Sequence, residues 1–215
     1  MDKLNSKKTY ILVKRGLDFV LSLFGIVLLS PVLLSIAVWI KLDTPGPVLF
    51  KQKRIGIHKR HFGIYKFRTM RADTPKDMPT HLLANPDAHI TKAGKFLRRT
   101  SLDELPQLFN ILAGEMAIIG PRPALWNQYD LIEERDKYGA NDILPGLTGW
   151  AQINGRDELP IEIKAAYDGE YVQKMSFSFD CKCFFGTIAC VLKKDGVVEG
   201  GTGAIGDISG EDRNS

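Results

Sequence analysis

Cysteine is scarce in these 215 residues, limited to Cys181, Cys183 and Cys190 near one end. No C-x-x-C pair or neighbouring histidine completes a zinc pattern, and the odd, crowded set offers no disulfide framework. Reduced, packed thiols of a cytoplasmic protein are the expectation. The four histidines, His58, His61, His81 and His89, have neither triad nor metal spacing and are expected at the surface. Internal repeats and low-complexity tracts are missing. Acidic residues are absent between Asp43 and Asp73, a stretch that holds Lys51, Lys53, Arg54, Lys59, Arg60, Lys66, Arg68 and Arg71. Such a block draws phosphate, whether on lipid, nucleotide or nucleic acid; the plainer alternative is a solvated basic face. Charge of either sign is missing from Phe19 to Ile40.

That last absence identifies an anchor. About 20 apolar residues cross a hydrocarbon core, and the run is long enough. A secretory signal fits poorly, because no small-residue cleavage site precedes Lys41, Asp43 and Pro45. Ser30-Pro31 stands mid-run, where proline removes a backbone donor and bends a helix. Basic residues flank both ends: Lys7, Lys8, Lys14 and Arg15 before, Lys41 and the 51–54 group after. The positive-inside rule places both flanks in the cytoplasm, as in a hairpin that enters and leaves one leaflet. A kinked transmembrane helix is the alternative. The composition, 44% hydrophobic and 25% charged, otherwise suits a globular chain, either one sizeable domain plus an anchor or two small domains.

The breaker cluster Thr44-Pro45-Gly46-Pro47 marks the passage from lipid to water. Residues 48–55 and 62–70, with a turn at 56–60, predict a β-hairpin. Ile64, Lys66 and Arg68 share one face of its second strand. The polar, proline-bearing stretch 73–86 reads as a loop. Residues 95–114 read as mainly helical, with Leu102, Leu105, Leu108, Phe109 and Leu112 at helical spacing. Further helices are predicted at 124–138, 160–175 and 178–192, the last edged with lysine and suited to lying on a lipid surface. The expected boundaries are a basic N-terminus and membrane helix over 1–43, a catalytic domain over 44–195 and a polar tail over 196–215.

Chemistry concentrates in Arg98-Arg99-Thr100-Ser101-Leu102-Asp103-Glu104-Leu105-Pro106-Gln107-Leu108-Phe109-Asn110. Ser101 and Glu104 match a capping box. Asp103 is a second candidate cap, which sets Pro106 in a first helical turn. The functional alternative is an anion site at a helix start beside two arginines. There an ionised Asp attacks phosphorus while a second carboxylate helps hold Mg²⁺. Downstream, Pro121 and Pro123 stiffen the backbone on either side of Arg122. The loop-like stretch 145–156, rich in glycine and amides, suits either a nucleotide or an ordinary set of turns.

Taken in order, Lys14-Arg15 with Asp18, Ser30-Pro31, Tyr65-Lys66-Phe67-Arg68-Thr69-Met70, Arg98 to Asn110, Gly120 to Pro123 and Pro145 to Arg156 resemble the bacterial sugar transferases, the monotopic phosphoglycosyl transferases. The resemblance runs from Lys14 to Leu192 and is to a short, catalytic-core form. One departure is His89, where relatives often carry Arg. The resemblance implies an α+β fold: a mainly helical catalytic domain with a small β-hairpin, a re-entrant membrane helix hinged at Ser30-Pro31, and interfacial amphipathic helices. It implies transfer of a sugar phosphate from a UDP-sugar to undecaprenyl phosphate, releasing UMP, at the cytoplasmic face of a bacterial inner membrane. Asp103 is then the nucleophile and Glu104 its partner, through Mg²⁺ or by proton transfer, with both carboxylates as metal ligands. Lys66 and Arg98 are expected on phosphate, and Pro121, Arg122 and Pro123 at the uridine site. Expected partners are the UDP-sugar, the polyprenyl phosphate, the bilayer and downstream glycosyltransferases, without nucleic acid. Two other classes compete: a non-catalytic anchor binding anionic lipid or nucleic acid through residues 51–71, and a nucleotide-sugar hydrolase.

Overall fold

A computed structural model describes residues 2–74, 86–155 and 159–193. Most of the expected 73–86 loop, Arg156 and the 196–215 tail lie outside them. Apolar sequence without glycine clusters forms one helix, α1, from Asp2 to Asp43, with Pro31 inside it. At 1.5 Å per residue it is about 63 Å long. Its outward face exposes Leu12, Phe19, Val20, Phe24, Val27, Leu28, Leu34 and Leu42. Thr9–Asp43 is long and apolar enough to cross a membrane.

The opposite face of α1 is covered by the rest of the chain. The predicted hairpin forms from β1 (Leu49–Ile55) and β2 (His61–Phe67), antiparallel with Lys51 opposite Tyr65. A 3-10 turn at Ile57–Lys59 joins them. Next come the single turn α2 (Pro86–His89), α3 (Lys92–Thr100) and α4 (Gln107–Ala113). Strand β3 (Ala117–Ile119) follows, then α5 (Tyr129–Asp136), β4 (Gly146–Thr148), α6 (Trp150–Ile153), α7 (Ile161–Lys174) and α8 (Phe177–Lys193). β3 and β4 pair in parallel, a second small sheet in a region that reads from sequence as loop.

Two apolar clusters attach α1 to the domain. Ile36 and Ile40 pack with Phe67, Ala93 and Leu97, while Ile26 and Leu29 pack on Ile64, Leu108, Ile111 and Met116. Burying side chains of this size is worth about 1.5–3 kcal/mol each, so these contacts fix the helix on the domain. Further from α1, Ile55, Ala124, Leu131, Ile132 and Ala165 form a cluster that joins β1 to α5 and α7. A buried Arg135–Asp168 pair at 2.6 Å lies between those two helices. All three cysteines are free. Burial and the nearby Asp180 charge push the Cys183 thiol up to about 12, which leaves it inert.

The stretch 95–114 is two helices rather than one. Ser101 takes a left-handed conformation (φ 55°) and ends α3. Leu102–Glu104 then make one 3-10 turn before Pro106 opens α4. Neither capping arrangement forms: Ser101 makes no side-chain cap, and α4 is preceded by Pro106 rather than Asp103. The expected helix at 124–138 is trimmed to Tyr129–Asp136, because Ala124 and Leu125 instead pair with β1.

Candidate active site

The segment Tyr65 to Met70 gives three side chains to three different anchors. Lys66 Nζ donates to Glu104 Oε1 at 2.7 Å. Arg68 is buried and donates to the Thr44 and Pro45 carbonyls, where its cation suits the C-terminal end of α1. Thr69 Oγ1 accepts from Arg98 Nε at 2.9 Å and so orients that guanidinium. This last bond requires α3 to approach closely. A Cβ on Gly94 would stand 1.9 Å from the Thr69 carbonyl oxygen, so glycine alone fits there.

The turn after Ser101 brings Asp103 and Glu104 into this cationic setting. Glu104 Oε1 is held by Lys66 and, at 2.9 Å, by Arg122 Nη2. Burial alone would raise the Glu104 pKa, but the Arg122 and Lys66 cations hold it well below the usual carboxylate range. Asp103 is 9% exposed and accepts no hydrogen bond from the described residues. Burial raises its pKa, with Lys66 opposing, the Glu104 charge adding, and Arg98 and Arg122 opposing. Two adjacent carboxylates are thereby driven apart in acidity, one neutralised by ion pairs and one raised by burial.

Arg122 is presented by a segment pinned at both sides. Gly120 N donates to Thr148 O and Gly146 N to Pro121 O, each at 2.8 Å, which ties it to β4. On the other side Ile55 N donates to Ala124 O at 3.0 Å, and Arg54 Nη1 donates to Pro123 O at 3.0 Å. Pro121 and Pro123 are buried, and their carbonyls are committed to these anchors. On this geometry their part is to fix Arg122. Fully buried Asn110 holds α4 to the hairpin, accepting from Tyr65 N and donating to Gly63 O, each at 2.9 Å.

The structure thus brings Lys66, Asp103, Glu104 and Arg122 together, with Arg98 close enough to bear on the Asp103 charge. A match to the bacterial sugar transferase family covers residues 9–194. The chain belongs to the bacterial sugar transferases.

Curated relatives are consistent with this. The chain is 43% identical over 185 residues to the UDP-glucose:undecaprenyl-phosphate glucose-1-phosphate transferase of Escherichia coli K12, covering 82% of this chain and 39% of that protein. It is 38% identical over 191 residues to the UDP-N-acetylgalactosamine-undecaprenyl-phosphate N-acetylgalactosaminephosphotransferase of Aeromonas hydrophila, covering 85% and 44%. A shorter relative, the exopolysaccharide production protein PSS of Rhizobium leguminosarum, is 38% identical over 196 residues, covering 86% and 97%. The chain therefore spans about two-fifths of the length of the first two.

The donor set of this sugar transferase site fits a hard divalent cation. Mg²⁺ takes oxygen ligands, commonly one or two carboxylates completed by water and substrate phosphate. Asp103 is buried beside this pair, and both cations bound to Glu104 sit on Oε1, leaving Oε2. Among the described residues no cluster of three metal-binding side chains occurs. Sequence reading missed Arg54, which Gln52 Oε1 holds by accepting from its Nη2 at 2.6 Å, and Thr69 as supports of Arg122 and Arg98. Thr69 lies in the quoted motif, and its partner Arg98 is basic, so an oxygen acceptor beside an arginine expected on phosphate was the available signal. Gln52 and Arg54 have no such signal, since Arg54 reads as one more residue of a basic block.

Proposed function

We propose that the chain transfers a sugar phosphate from a UDP-sugar to a polyprenyl phosphate, undecaprenyl phosphate in bacteria, with release of UMP. The observation that carries this reading is the buried Asp103 carboxylate placed beside Glu104 among the charges of Lys66, Arg98 and Arg122. In the first step an Asp103 oxygen attacks the phosphorus that bears the sugar. A phosphorus–oxygen bond to UMP breaks as the carboxylate–phosphorus bond forms. In the second step an oxygen of the lipid phosphate attacks the same phosphorus and returns the Asp103 carboxylate. Lys66 and Arg98 neutralise phosphate charge, and Arg122, held by its flanking prolines, faces the uridine side. Asp103 and Glu104 Oε2 would hold Mg²⁺, which when bound neutralises the diphosphate.

The acceptor is lipid-borne, so the reaction belongs at a membrane surface. The domain touches α1 from Tyr10 and Lys14, which bond Asp180, to Ile40, which packs with Leu97. Were α1 to cross a bilayer, the domain beside it would be immersed. This supports a re-entrant placement with both ends on the cytoplasmic face of the inner membrane. Along α8, Phe177, Phe184, Phe185, Ile188 and Leu192 are exposed at helical spacing, which supports an interfacial role. The product would pass to downstream glycosyltransferases. The test is UMP release from a panel of UDP-sugars with undecaprenyl phosphate and Mg²⁺. One donor should give acceptor-dependent UMP. Release without acceptor at the same rate would instead indicate a hydrolase, and no release with any donor would defeat the assignment.

A further inference from the structure

We propose that one turn of α1, from Lys14 to Asp18, is a positioning element that sets the spacing of Glu104 and Arg122 across the active site. The proposal rests on the reading of those residues as the reacting centre. Arg122 lies three residues beyond β3, and Glu104 lies three residues before α4. β3 and α4 are joined only by residues 114–116, where Gly114 takes a left-handed conformation (φ 87°) and makes a natural pivot. The α1 turn bridges that pivot. Arg15 Nη1 donates to Ile111 O at 2.7 Å and Nη2 to Leu112 O at 3.3 Å, closing the C-terminal end of α4. Asp18 Oδ1 accepts from Ile118 N at 3.2 Å, in the middle of β3.

A buried polar cluster keeps Asp18 in place. Lys14 Nζ lies 3.8 Å from Asp18 and 2.6 Å from Asp180, which also accepts from Tyr10 and Tyr171. The Tyr171 hydroxyl is in addition 3.1 Å from the Ile119 carbonyl, so α7 and α8 join the same clamp. None of these side chains is in the described site, yet they fix the strand that leads to Arg122. Because the clamp is part of the membrane helix, the Glu104–Arg122 pair at 2.9 Å is set by the docked position of that helix.

The test uses the full chain in bilayer discs, with UMP release corrected for folded fraction and amide exchange read over residues 117–123. Asp18→Ala is expected to lower turnover about tenfold and to speed exchange in β3. Asp18→Asn keeps an oxygen acceptor for Ile118 N and is expected to restore most of both. In an Arg122→Ala background, Asp18→Ala should have little further effect, since a residue acting through Arg122 is silent without it. Equal losses in both backgrounds, or unchanged exchange in β3, would overturn the proposal. If the unaltered chain releases no UMP, the transferase reading fails, and the exchange measurement alone decides the clamp.

Discussion

The hydroxyl of Ser30 donates to the Val27 carbonyl at 2.8 Å, the acceptor that residue 31 would serve had it not been proline. One step on, Ser35 Oγ donates to the Pro31 carbonyl at 2.8 Å. Two hydroxyls thus satisfy backbone oxygens around the proline, where lipid offers no water to do so. The helix tolerates Pro31 at low cost, and the re-entrant placement proposed above sets both basic flanks on one side. Asn5→Cys should therefore be labelled only from the cytoplasmic side in intact cells. Replacing Ser30 and Pro31 by Ala and Leu should expose that cysteine outside and lower activity. Outside labelling of the unaltered anchor would show that the helix spans.

Asp103→Asn removes the attacking oxygen and keeps the shape. Turnover is expected to fall by several orders of magnitude, on the order of the loss seen when a covalent route is removed. The thermal midpoint should hold, because Asp103 has no hydrogen-bond partner among the described residues to lose. Near-normal turnover would remove Asp103 from the nucleophile's role.

The pH profile separates the two carboxylates. Asp103 is raised by burial, so its reactive, ionised form is lost first as pH falls, while Glu104 stays ionised. The acid limb of kcat/KM should therefore lie above the ordinary Asp value of about 4. Arg122→Gln removes an opposing cation and should move that limb to higher pH. Glu104→Gln removes a neighbouring anion and should move the limb of the residual activity to lower pH. A limb fixed in both variants would assign it to another group.

Chelation tests the cation. EDTA is expected to abolish UMP release and added Mg²⁺ to restore it, since the reaction joins anions. Full activity in chelator would leave Asp103 and Glu104 Oε2 without a metal role.

Gly94→Ala adds one methyl against the Thr69 backbone, where neither side can swing away. Overpacking of this kind costs about 1–3 kcal/mol. The thermal midpoint should fall by several degrees, and activity should fall with it as Arg98 leaves Thr69. An unchanged midpoint would mean that α3 shifts freely on the hairpin.

Much of this arrangement was legible from local signals. The hairpin bounds follow from alternation and turn residues, and α7 and α8 from helical spacing. Lys66, Glu104 and Arg122 were singled out by motif before their convergence was visible. What stayed hidden depends on long-range pairing. The break at Ser101 is set by a left-handed residue that periodicity does not register, since the apolar spacing continues across it. The parallel β3–β4 pair joins two three-residue strands separated by α5, too short to announce themselves. Asp18 reads locally as a charge at the edge of an anchor, and its partner Ile118 is 100 residues away.

That separation has a consequence for how the chain is made. Synthesis proceeds from the N-terminus, so α1 emerges before anything that covers its inner face. Leu97, Ile111 and Met116 arrive much later, and Asp180, which completes the Lys14 cluster, follows Lys14 by 166 residues. Until then the polar side chains of that turn lack their partners. The catalytic region thus closes onto a helix that was synthesised before it. A fragment beginning at Thr44 would lack the surface on which two of its apolar clusters close, and it should be recovered as aggregate rather than as a soluble enzyme.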